Sequence, residues 1–97
     1  MTVEGSITQD GEHIIYVFGA NAGQQMSLVV TTPPPDGPPP GFVAVLVITF
    51  ADGTVEGPLT NYNGEIPATG DNYIDVSANL MISDPLTGSF TLTLEIT

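Results

Sequence analysis

The 97 residues suit one domain, 1–97, and their 41% apolar content and mean hydropathy of +0.24 exclude a disordered tail. Eleven Asp and Glu against no Lys, no Arg and one His give a net charge of −11, which removes arginine forks, phosphate clamps and basic patches and so excludes nucleic acid or an anionic membrane surface as a partner. The absence of cysteine excludes disulfides, thiol nucleophiles and thiolate metal sites, and no apolar run reaches the ~18 residues of a spanning helix.

In chain order, "VEGSI" at residues 3–7 reads as a short strand, and no signal peptide is expected in a start with neither a basic region nor an apolar stretch. "HIIYVFGA" and "QQMSLVVTT" flank "NAGQ". Alternation puts Ile14, Tyr16 and Phe18 on one face of the first, and Met26, Leu28 and Val30 on one face of the second. The two are expected to pair as a hairpin. "TTPPPDGPPPG" then stops the strands, because its prolines fix φ and offer no amide donors. A docking role in an aromatic-lined groove would want a flanking base, and none exists, so residues 33–40 are expected to be a stiff crossover between sheets.

"FVAVLVITF" follows. With Phe42, Ala44, Leu46, Ile48 and Phe50 inward, Val43, Val45 and Val47 point outward, where an antiparallel sandwich normally shows polar groups. These valines are the candidate interface, covered either by another subunit or by the chain's own loops. "ADG" is the strongest hairpin signal in the chain and leads into "TVEGPLT". "GEIPA" is a short segment that Pro67 confines to an edge or a strand end, and "NYIDVSA" follows the turn "ATGD". The closing "GSFTLTLEIT" sets Phe90, Leu92, Leu94 and Ile96 against Thr91, Thr93, Glu95 and Thr97. About eight strands at roughly 8 to 12-residue intervals, with no helical period, predict an all-β, antiparallel, jelly-roll-like sandwich.

The residues that could carry chemistry are few. His13 lies beside Asp10 and Glu12 in sequence but has no nucleophile context, and nothing singles out a catalytic carboxylate pair, so no enzyme activity is expected. Asp71 with Asp75, and Asp52 with Glu56, stand four apart, and Asp10 with Glu12 two apart, so each pair could offer oxygens to a hard cation such as calcium, and no cofactor is required. Turn carboxylates more often cap backbone amides.

Four blocks, in order over nearly the whole chain, resemble the bacterial pre-peptidase C-terminal domains: "AGQQMSLVV", "ADGT", "NGEIPATGDNYIDV" and "GSFTLTLEI". The resemblance implies a small jelly-roll-like sandwich of extracellular or cell-surface origin, non-catalytic and accessory to a hydrolase. Some relatives bind calcium and collagen, and similar domains inhibit lysozymes. Where the family strand runs Tyr-x-Ile-x-Val, Tyr73 here directly precedes Ile74, so Tyr73 and Val76 are expected on opposite faces unless a bulge intervenes.

Three functional readings follow. The first is an accessory module of a secreted protein that assembles with a host chain or with copies of itself as a homo-oligomer. The second is an acidic inhibitor-type domain that captures a basic enzyme such as a lysozyme. The third is an engineered scaffold stripped of Lys and Arg.

Overall fold

The computed structural model describes residues 1–9, 11–32, 42–79 and 87–97. Among the described residues eight strands form: β1 (Thr2–Ile7), β2 (Ile14–Ala20), β3 (Gln25–Thr31), β4 (Ala44–Thr49), β5 (Val55–Leu59), β6 (Asn61–Glu65), β7 (Gly70–Ala78) and β8 (Gly88–Ile96). They make two four-stranded sheets, ordered β1-β8-β3-β6 and β2-β7-β4-β5, and the strand pairs within each are antiparallel. The chain changes sheet at every connection except β4 to β5. That order is a jelly roll, as expected from the alternation of the segments.

Period-two alternation decides what is buried. Met26, Leu28 and Val30 of β3 and Phe90, Leu92 and Leu94 of β8 face Ala44, Leu46 and Ile48 of β4 and Ile74 and Val76 of β7 across the core. Each large side chain so removed from water contributes about 1.5–3 kcal/mol. Two aromatic pairs bridge the layers: Tyr16 and Phe90 meet edge-on with centroids 6.5 Å apart, and Phe50 and Tyr62 are tilted at 5.7 Å. In β7 the register runs without a shift against both neighbours, so Tyr73 is exposed while Val76 is fully buried, on opposite faces.

One expected pairing is wrong. β2 and β3 do not form a hairpin; they belong to different sheets. The "NAGQ" corner is held instead by the end of β6: the Gly23 amide donates to the Ile66 carbonyl at 2.9 Å, and the Ile66 amide to the Gln24 carbonyl at 2.7 Å. Ile14, Tyr16 and Phe18 of β2 and Met26, Leu28 and Val30 of β3 instead meet the core from opposite sheets. β6 also differs from "GEIPA": it spans Asn61–Glu65 at a sheet edge, and Ile66 turns into the core.

The "ADG" hairpin forms. The Phe50 amide donates to the Thr54 carbonyl at 2.8 Å, and the Gly53 amide to the Phe50 carbonyl at 2.9 Å. Further along, Leu46 pairs with Leu59 and Ile48 with Glu56, so Gly57 and Pro58 together oppose Val47 in a bulge. Gly57 has φ +130°, and a Cβ there would lie 2.8 Å from the Leu46 carbonyl oxygen, so only glycine fits. The proline crossover lies outside the described residues; the strands on either side of it, β3 and β4, do fall in different sheets.

Candidate functional site

The two outer faces of the sandwich differ in chemistry. On the β1-β8-β3-β6 sheet the outward positions are polar, among them Thr2, Ser27, Asn63, Ser89 and Thr93, with Val29 the one exposed large apolar side chain within its described strands. The outer face of β2-β7-β4-β5 is largely apolar. Ile15 and Val17 of β2, Val55 of β5 and Tyr73 of β7 are 59%, 57%, 58% and 45% exposed.

Register places these side chains together. Val17 lies opposite Tyr73, Tyr73 opposite Thr49, and Thr49 opposite Val55, which forms one row across all four strands. In the next row, Ile15 lies opposite Asp75 and Asp75 opposite Val47. Along β7 the outward positions read Asp71, Tyr73, Asp75, so the central tyrosine has a carboxylate on each side along its strand, with Val17 and Thr49 to its flanks.

Val45 and Val47 point outward on this face as expected, but both are half-buried within the sheet, and Val43 lies just before β4. Asp71 and Asp75 share a face but not a site, since four residues of extended strand separate them by about 13 Å. Asp52 and Glu56 are also parted. Asp52 sits in the hairpin turn and accepts from the Thr54 amide at 2.9 Å, which holds its carboxyl below the ordinary aspartate range. Glu56 pairs with the core residue Ile48 and therefore leans to the inward side. Among the described residues no three His, Asp or Glu side chains come together to hold a metal.

His13 does not turn to its sequence neighbours. Its Nδ1 lies 2.8 Å from an Asp75 oxygen, 62 residues away, at the margin of the apolar face. Glu12 instead accepts from the Thr8 amide at 2.6 Å and from the Thr8 hydroxyl at 3.2 Å. Ile15, Val17, Val55 and Tyr73 escaped sequence reasoning. The signal in "HIIYVFGA" was the same as in "FVAVLVITF", apolar residues at both parities, which marks a strand with two apolar faces.

No family model and no curated protein matches the chain. Among solved structures it is similar to PliG of Aeromonas hydrophila, a periplasmic lysozyme inhibitor of g-type lysozyme. The TM-score is 0.72 at 19% identity, over 100% of this chain and 85% of that one. At that identity the likeness is one of fold.

Proposed function

We propose that this domain is a non-catalytic binding module of the extracellular space or cell envelope, of inhibitor type, that captures a basic enzyme such as a lysozyme. The observation that carries the reading is the one-sided charge: eleven carboxylates with no Lys or Arg, on a fold shared with a lysozyme inhibitor. A surface of one sign steers a partner of the opposite sign into encounter and repels copies of itself. The test is a titration against g-type and other lysozymes, read by calorimetry and by cell-wall lysis, in about 0.1 M and about 1 M sodium chloride, between which the Debye length falls from about 10 Å to about 3 Å. Binding that weakens on the order of tenfold or more across that range, with lysis blocked at low salt, supports capture. Absence of binding to every lysozyme at low salt refutes it.

A second reading, assembly with a host chain or with further copies, draws on the exposed apolar row. It predicts a particle whose mass by light scattering grows as salt screens the repulsion between copies.

A further inference from the structure

We infer that the outer face of the β2-β7-β4-β5 sheet is the docking surface, and that it takes a basic protein surface which lays an arginine or lysine over the Tyr73 ring within an aliphatic surround. The inference rests on the capture reading above and deepens it by naming the face and the chemistry it selects. Four of the six exposed large apolar side chains among the described residues lie on this one face. Tyr73 stands near its centre on an inner strand, with Val17 and Thr49 beside it and Val55 beyond. An aromatic anchor whose surrounding contacts exclude water once a partner is seated is the form that binding hot spots take.

Charge decides the occupant. The carboxylates of this face, Asp71 and Asp75, stand about 7 Å on either side of the tyrosine along β7. A purely apolar partner would strip water from both and leave them unpaired. A second copy would bring more carboxylates and no Lys or Arg to answer them. A cationic side chain meets both demands, since it lies over the ring face and reaches a carboxylate, and each attraction strengthens as docking removes water from Ile15, Val17 and Val55. The two acids are not equivalent. Asp75 already holds the chain's one imidazole, whereas the Asp71 carboxylate has no hydrogen bond or ion pair among the described residues. Asp71 is therefore the stronger anchor.

The experiment compares variants that change charge equally on opposite sheets. Asp71→Asn, Glu4→Gln and Glu95→Gln each remove one of the eleven carboxylates, the last two from the polar outer face of the other sheet. Tyr73→Ser removes the ring without a charge. With g-type lysozyme as probe, Asp71→Asn and Tyr73→Ser are expected to weaken binding about tenfold or more, and Glu4→Gln and Glu95→Gln about twofold or less. Equal losses in the three charge variants, or a Tyr73→Ser variant that folds and binds as well as the parent, would overturn the face while leaving capture standing. If no lysozyme binds the parent, capture of that enzyme fails, and the face is read with a peptide of alternating arginine and valine by amide shift mapping. Shifts centred on β7 and β2 then sustain the surface. Shifts on β8 and β3, even shifts over both sheets, or no shifts at all, would overturn it.

Discussion

Asn72 gives the sharpest test of how this core is specified. It is 0% exposed and the one buried polar side chain among the described residues. Its Oδ1 accepts from the Ala51 amide at 3.0 Å and its Nδ2 donates to the Gly70 carbonyl at 3.3 Å, which ties the hairpin turn after β4 to the start of β7. Asn72→Asp keeps the shape and the acceptor but sets a second oxygen against the Gly70 carbonyl. The introduced carboxyl can replace the lost donor only by keeping its proton, and burial pushes it the same way, so its folded-state pKa lies above the unfolded value of about 3.9. A raised acid pKa means that the folded state holds its proton longer. The loss of stability therefore begins near pH 4, grows as pH rises, and levels off above the folded pKa. A rise of about two to three units corresponds to about 3–4 kcal/mol at neutral pH, or a fall in melting temperature of roughly 12–30 °C for a domain of this size. Asn72→Ala is the control. It deletes both bonds without adding a charge and should cost about 1–3 kcal/mol with little pH dependence of its own. Melting curves of the three proteins at pH 5 and pH 7.5 read the difference. An Asn72→Asp protein that melts with the parent at pH 7.5, or that loses no more there than at pH 5, would show that the Gly70 carbonyl and burial do not hold the proton on the introduced carboxyl.

Gly5 permits a close approach: an added Cβ would lie 2.6 Å from Phe90 Cζ and 2.8 Å from the Tyr16 hydroxyl oxygen, so Gly5→Ala should destabilise by about 1–3 kcal/mol in urea unfolding, and a neutral effect would mean that the aromatic pair shifts freely. Asp52→Ala removes the acceptor for the Thr54 amide, whose bond lowers the Asp52 pKa below its ordinary value; that contribution is present above the unfolded pKa and is lost as pH falls through the folded one, so the melting gap from the parent should narrow in acid, and a gap that widens there would refute the cap. Eleven acids with no Lys or Arg repel one another more when folded than when spread out, so raising sodium chloride from about 0.1 M to about 1 M at pH 7.5 should raise the melting temperature, and a fall would show that attraction dominates instead.

The local grammar of this chain is legible in its residues alone. Strand positions, inward parity and the "ADG" turn follow from alternation and turn chemistry within a few residues, and the opposite facing of Tyr73 and Val76 follows from their odd separation. The one-sided charge is also a property of the list of residues alone. Pairing was another matter. "NAGQ" has the composition of a hairpin turn, yet β2 and β3 lie in opposite sheets, because the choice between pairing beside and packing across depends on where Ile66 and β8 stand. Tertiary register likewise set Ile15, Val17, Val55 and Tyr73 from three strands into one face, drew His13 to Asp75 rather than to Glu12, and put Asp71 and Asp75 about 13 Å apart along one strand. Asn72 opens the strand "NYIDVSA" with nothing in the sequence to mark it, and the fold makes it the buried tie between two corners. Alternation tells each residue which side of its own strand it occupies; only the order of strands in the sheets says which side chains share that side.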